Sequence, residues 1–306
     1  MRAKYLLAVL SAAVLAAPAH SQTNFAAGST AAPWVKLPSS ARIAGLGEAG
    51  TALRGDIEAQ SLNPAALAGL KGQQFSLMHN IYVLDSSVQH LGYGIGLFEN
   101  SAIAVSADYV SFGAVDQYKV VNNALVADGS IHPSAWTATL GLGHQIGSLA
   151  LGANAKMLNQ DLGGITGNAF AGDVGAQLSL GGEKAGADLG ASYQNMGTEL
   201  NGASLPQGLK LGAILRADFG LGVLSLLGDV NALAAQGSFD SGSMAVELMG
   251  SQTYALRGGY KFLGNGGASG LSLGGGLRFS GFSVDYAYTT RDSLGASNQI
   301  SVGGRF

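Results

Sequence analysis

From Gln74 onward the chain divides into segments of about ten residues in which large apolar side chains alternate with small or polar ones. Between residues 270 and 280, Leu271, Leu273, Leu277 and Phe279 oppose Ser272, Gly274, Gly276 and Arg278, because successive side chains of a strand point to opposite faces. The next segment sets Phe282, Val284, Tyr286 and Tyr288 against Ser283, Asp285, Ala287 and Thr289. An earlier one sets Tyr254, Leu256, Tyr260 and Phe262 against Ala255, Arg257, Gly259 and Lys261. This is the length that crosses a bilayer at the tilt of barrel strands. An open sheet inside lipid would leave its edge N–H and C=O groups without partners, so strands of this kind must close on themselves.

About fourteen such segments can be marked: 74–84, 87–98, 101–111, 134–146, 148–158, 169–181, 185–196, 207–217, 223–233, 241–250, 253–262, 270–280, 282–290 and 297–306. An even number suits a single-chain bacterial barrel. The connections sort by length: 147–148, 182–184, 250–252 and 280–281 are tight, whereas 113–133, 159–168, 197–206 and 263–269 are longer. Short turns of outer-membrane barrels are periplasmic and long loops extracellular, so both ends of the barrel fall on the periplasmic side. The first connection, at Asp85-Ser86, breaks the alternation and predicts a low rim there.

Composition removes the soluble alternatives. Hydrophobic residues make up 47% of the chain and charged residues only 11%, well below the quarter or so typical of soluble proteins. A soluble β-sandwich would carry more charge on its outward rows and would not sort its loops. The charges lie instead on the small-residue rows: Asp108, Lys156, Asp173, Asp188, Lys210, Arg216, Asp229, Glu247, Arg257, Lys261, Arg278 and Asp285. Facing lipid at mid-depth, a basic side chain costs about 2 to 4 kcal/mol, which assigns these rows to the lumen. Glu247, Arg257, Lys261, Arg278 and Asp285 are expected to form a structural charge network there. Formal net charge is −3 without a basic block, which excludes nucleic acid as a partner, and there is no cysteine for disulfides or thiolate chemistry.

The amino terminus reads as an export signal over residues 1–21: Arg2 and Lys4, an apolar stretch from Leu6 to Ala17, then small residues around Ala19 for cleavage. At the other end Ile300, Val302 and Phe306 alternate with Ser301, Gly303 and Arg305. An alternating last strand ending in an aromatic resembles the signal read by the outer-membrane barrel assembly machinery, with Val302, Gly304 and Phe306 as its elements. Outer-membrane lipid and that machinery are therefore expected partners, and the Gram-negative outer membrane the expected location.

Residues 34–72 do not alternate and are dominated by small side chains. Asn63-Pro64 favours a turn, with Pro64 opening a helical turn at Ala65 to Leu67. The whole stretch 22–72 is expected to be an N-terminal segment and plug within the lumen of a barrel spanning 73–306. Here the chain resembles a known family. Ala41-Arg42, Gly45-Leu46-Gly47, Ala49-Gly50, Asp56 and Asn63-Pro64-Ala65-Ala66-Leu67, followed by Ser76-Leu77-Met78-His79-Asn80 and Asp285-Tyr286-Ala287-Tyr288, are similar to the PorV/PorQ family of outer-membrane proteins. That family is related to the FadL hydrocarbon transporters. The resemblance implies an all-β, fourteen-stranded transmembrane antiparallel barrel with a small plug or hatch, whose motif residues here are Arg42, Gly45, Gly47, Asp56, Asn63, Pro64 and Ala65.

Catalytic and cofactor constellations are not expected. His79 shares a row with Leu77 and Ile81, and His90 lies with Gly92 and Gly94 on the opposite row, so the two should not converge; His144 sits with Leu140 and Leu142. Gly274-Gly275-Gly276 and Gly264-Asn265-Gly266-Gly267 have no P-loop Lys-Ser/Thr and no following helix. Asp161, Asp173 and Asp240 lack calcium-loop spacing. No metal, no cofactor and no enzymatic activity are expected.

Two functional classes remain. The resemblance to PorV implies a non-enzymatic accessory of protein secretion or surface attachment, binding a secreted or envelope protein at the extracellular rim. The loop 113–133, with Asp116, Tyr118, Lys119, Asn122, Asn123 and His132, offers the contact surface. The FadL relationship implies a passive transporter of small hydrophobic compounds gated near Asn63-Pro64; a structural envelope protein is a third reading. Inward rows rich in Gly, Ser, Asn and charge favour the first, because a hydrophobic-compound site needs an apolar pocket.

Overall fold

A computed structural model describes residues 30–182, 184–233, 238–264, 269–291 and 295–306. The export signal expected over residues 1–21 lies outside the described residues, as do Asn265, Gly266 and Gly267. Period-two patterning yields strands β1 (Gln73–Ile81), β2 (Ser87–Leu97), β3 (Ser101–Ser111), β4 (Val115–Val121), β5 (Ala124–Ile131), β6 (Ser134–Ile146), β7 (Leu149–Asp161) and β8 (Thr166–Gly181). They are followed by β9 (Ala185–Gly197), β10 (Gly208–Asp218), β11 (Gly222–Leu233), β12 (Ser238–Gly250), β13 (Tyr254–Leu263), β14 (Gly270–Phe279), β15 (Phe282–Thr290) and β16 (Ala296–Arg305). Fourteen of them close into one antiparallel barrel in which β3 pairs with β6 and β1 with β16. Closure sets Gln74 opposite Arg305, Leu77 opposite Val302 and Ile81 opposite Asn298, leaving no sheet edge.

The alternation becomes two surfaces. Along β1, Leu77, His79 and Ile81 are exposed while Ser76, Met78 and Asn80 are buried, and along β14 Leu271, Leu273 and Leu277 face outward. One end of the barrel carries only the tight connections 98–100, 147–148, 182–184, 219–221, 251–253 and 280–281. Outward aromatics ring that end: Phe306 stacks on Phe75 at 6.1 Å and meets Phe282 edge-on at 5.5 Å, and Phe282 lies 6.3 Å from Phe279. Val302 also faces outward, and Gly304 leaves room for the Phe75 ring.

The other end departs from the expected loop lengths. Residues 113–133 are not an open loop; β4 and β5 form a two-stranded ribbon above the rim. Its turn is Asn122-Asn123, whose φ values of 49° and 60° match the mirror-image turn that suits strand twist. The expected loop 159–168 shrinks to residues 162–165, because β7 and β8 run on past the barrel body. The first connection, residues 82–86, is then no exception at this end, and the low rim expected there is not a distinguishing feature.

Candidate functional site: the lumenal plug

The stretch after residue 32 folds into four short turns: a 3-10 turn at Pro33–Lys36, helix α1 (Ala41–Gly45), and 3-10 turns at Ile57–Ser61 and Pro64–Gly69. The last three have side-chain caps. Ser40 Oγ accepts from the Ile43 amide at 3.2 Å, Asp56 Oδ1 from Glu58 at 3.0 Å and Asn63 Oδ1 from Ala65 at 3.0 Å. Turns this short have no independent stability. Burial supplies it: Ile43, Leu46, Ala59, Leu62 and Ala66 pack against Ile214 and Leu227 of the wall.

Polar groups of the barrel complete the plug's backbone. Asn63 Nδ2 donates to the carbonyls of Thr51, Ala176 and Ala191 at 2.9, 3.2 and 3.4 Å. Gln177 donates to Thr51 and Leu53, Gln194 to Ser61 and Leu62, and Ser192 to Leu62. Asp229 Oδ2 accepts from the Gly50 and Thr51 amides and the Thr51 hydroxyl within 2.9 Å. Wall glycines allow the approach: a β-carbon on Gly152 would lie 2.3 Å from Pro64 C, and one on Gly274 would lie 3.1 Å from Gly45 Cα. Gly47 rests on the backbone of Gly259 and Tyr260 in the same way.

Arg42 links plug to wall in charge as well. Its guanidinium donates two hydrogen bonds to Glu247 at 3.0 Å each and one to Asp56. Glu247 also accepts from Arg257 at 2.8 Å, and Arg257 reaches Asp285 at 2.5 Å. The network expected on the wall therefore unites Glu247, Arg257 and Asp285 but not the other two members. Lys261 points to the plug's Glu48, with Arg291 4.0 Å from the same carboxylate. Arg278 contacts the Met249 thioether at 3.1 Å and pairs with no carboxylate among the described residues. Rows of side chains on non-adjacent strands do not reveal which of them a plug residue will intercept.

These contacts set the plug's protonation. Burial alone would raise the Asp56 carboxyl, but the Arg42 guanidinium beside it holds it below the usual carboxylate range. Glu58 has no such partner; burial, with Asp56 and Asp285 nearby, pushes it up to about 7. Its carboxyl accepts from the Ser76 hydroxyl at 3.3 Å.

Toward the long-loop end the lumen is apolar, although the inward rows were expected to be rich in Gly, Ser, Asn and charge. Met78, Val88, Val110, Ala135, Leu158 and Ala169 form an apolar collar filled by Trp34, Leu200 and Leu205. Trp34 donates from Nε1 to Thr137 Oγ1 at 3.0 Å and meets Phe112 edge-on at 6.4 Å. On the lipid side of the same wall lies a hollow of about 630 Å³ bordered by Leu77, Leu91, Tyr109, Trp136, Ile300 and Val302. Met78 and Thr137 border it as well, so a single sheet layer separates hollow and collar. His79 and His90 lie on opposite faces of the wall, His90 inward against Asp108 at 2.7 Å, and His144 is exposed.

Among the expected plug residues, Asn63, Pro64 and Ala65 are fully enclosed against β7, β8 and β9, Gly45 and Gly47 against β13 and β14, and Arg42 and Asp56 lie at the short-turn end. Sequence reasoning missed Gln177, Gln194 and Trp34, and placed Asp229 on a lumenal row without its contact to the plug. Gln177, Gln194 and Asp229 stand on inward rows among small residues, where a lone side chain able to bond a backbone was the available clue.

The CymD monoaromatic hydrocarbon channel superposes with a TM-score of 0.58 at 14% identity, over 88% of this chain and 97% of its own. The P. putida toluene transporter TodX gives 0.59 at 13% identity, over 87% and 98%. No curated protein matches the chain. The fourteen-stranded barrel fold is therefore shared with these two proteins. A sequence profile described as an uncharacterised protein family, UPF0164, matches residues 7–179. That match covers more than half of the chain, which accordingly belongs to the UPF0164 family.

Proposed function

We propose that the protein is a passive outer-membrane transporter of small hydrophobic compounds, with the plug as its gate. The apolar collar around Trp34, backed across one sheet layer by the hollow at Leu77, Leu91 and Tyr109, carries this reading. It supplies the apolar site that the inward rows had been expected to lack. The likeness in fold to CymD and TodX, described as a monoaromatic hydrocarbon channel and a toluene transporter, supports the same class. Nothing in the collar resembles a catalytic group; its polar contact is the Trp34–Thr137 hydrogen bond. The test is uptake of labelled toluene into liposomes containing the protein. Uptake above that of liposomes with a heat-denatured sample supports the proposal, and equal rates overturn it.

One observation favours the partner-binding reading as a second function. On the β4–β5 ribbon, Tyr118, Val120 and Leu125 are 60%, 70% and 74% exposed on one face. Co-purification from solubilised membranes with and without residues 115–131 tests it. A stoichiometric protein lost with the ribbon supports a docking role, and an unchanged set of co-purifying proteins removes it.

A further inference from the structure

The short-turn mouth of the barrel contains two neighbouring cavities of about 240 and 200 Å³. Arg42, Asp56, Arg278 and Arg305 border both of them. Arg278 and Arg305 reach them because inward positions at the ends of β14 and β16 project below the plug; Arg216 on β10 borders the second cavity.

The carboxylates here already have partners. Asp56 takes Arg42, with Arg305 at 3.4 Å, and Glu247 takes Arg42 and Arg257. Asp285 takes Arg257, and Asp188 takes Arg216 at 2.6 Å. Glu58 is the remaining acid, and its burial beside Asp56 leaves it largely protonated below neutral pH. Arg278 consequently faces the cavity with only a thioether against it among the described residues. Arg305 is half exposed and its one carboxylate contact is long. Guanidinium groups around a shared cavity repel one another, and their planar donor forks match oxyanion geometry.

We infer that this mouth is a binding seat for a small oxyanion, a phosphate or carboxylate group, held between Arg278 and Arg305. The seat is independent of the apolar collar, which lies at the opposite end of the lumen. An oxyanion here neutralises Arg278 and draws Arg305 away from Asp56, so occupancy is read by the same charges that hold Arg42 and the plug.

Isothermal titration of the full chain in phospholipid-free detergent with inorganic phosphate, and separately with acetate, tests the inference. Saturable 1:1 binding at low salt is expected, weakening as sodium chloride is added. Arg278→Gln should lower phosphate affinity at least tenfold, and Arg305→Gln, at a half-exposed position that leaves the barrel heat-modifiable, should lower it severalfold. Lys119→Gln on the ribbon should leave it unchanged. Absence of saturable heat with either anion, or equal affinities in wild type and both arginine variants, overturns the seat. Repeating the phosphate titration in nanodiscs with and without phosphatidylglycerol identifies the source: competition points to a lipid headgroup, and its absence to a soluble anion.

Discussion

Asn63 Oδ1 occupies the space that a side chain on Gly175 would need; a β-carbon there would lie 1.9 Å from it. The same Asn63 donates to the carbonyls of Ala176 and Ala191 on the two adjoining strands. Alongside Gln177, Ser192 and Gln194, the plug is thus tied to β8 and β9 by an amide whose position depends on the absence of a side chain. Gly175→Val should displace Asn63 while preserving the barrel, because the strand pattern and the outward row are untouched. The expected result is a heat-modifiable protein in which residues near Thr51 and Leu62 become accessible to protease. Unchanged protection would show that Asn63 does not hold the plug.

Arg42 is enclosed with Glu247 and Asp56 on either side. Removing one member of a buried ion pair leaves the other charge uncompensated and costs about 3 to 5 kcal/mol. Arg42→Ala should therefore loosen α1 and the turn at Ile57–Ser61 more than truncation of an apolar plug residue such as Ala59. Hydrogen exchange of plug amides measures this, and Glu247→Gln should partly restore protection in the Arg42→Ala background, because it removes one of the two carboxylates that lose Arg42 and leaves Arg257 paired with Asp285. Equal exchange in wild type and Arg42→Ala would remove the hub role.

The strands were legible because lipid and lumen impose period two on every segment, and the observed ends differ from the expected ones by a few residues at most sites. The ribbon was not, since Val115 to Ile131 lacks a lipid-facing row and its exposed positions show no alternation. Plug residues such as Asn63 and Arg42 stood out by type and placement, but their partners depend on how the chain threads the lumen. Lys261 illustrates this: its row was correct and its partner, Glu48, came from the plug. The apolar collar was missed because Val88, Val110 and Leu158 each occupy one inward position near a strand end, and only closure brings them together.

Two of the plug's acids, Asp56 and Glu58, respond to pH in opposite directions. Asp56 is held below its ordinary value by Arg42, so its contribution is present above about pH 4 and lost as pH falls through its folded pKa. Glu58 is raised to about 7, so its contribution is complete below the ordinary glutamate value and lost as pH rises toward 7. That loss is on the order of 3 kcal/mol. Plug protection, corrected for the intrinsic pH dependence of exchange, should be greatest in mildly acidic buffer and weaker at pH 8. Glu58→Gln should abolish the decline on the alkaline side; an equally steep decline in that variant would assign it elsewhere.

Trp34 is the side chain on which the transport proposal turns. It is 5% exposed, fills the collar between Met78, Val110 and Leu158, and is anchored to Thr137 on the wall that carries the outer hollow. Trp34→Ala removes the largest group in the collar and should cost about 3 to 5 kcal/mol of local packing without affecting barrel closure. Because the vacated volume is apolar, a monoaromatic compound should bind there in place of the indole. Thr137→Val removes the anchoring hydrogen bond while keeping the wall intact, so it should raise toluene uptake in liposomes less than Trp34→Ala does. The ordering of rates, wild type below Thr137→Val below Trp34→Ala, is the expected outcome. Equal rates in all three proteins would place any route away from the collar and Trp34.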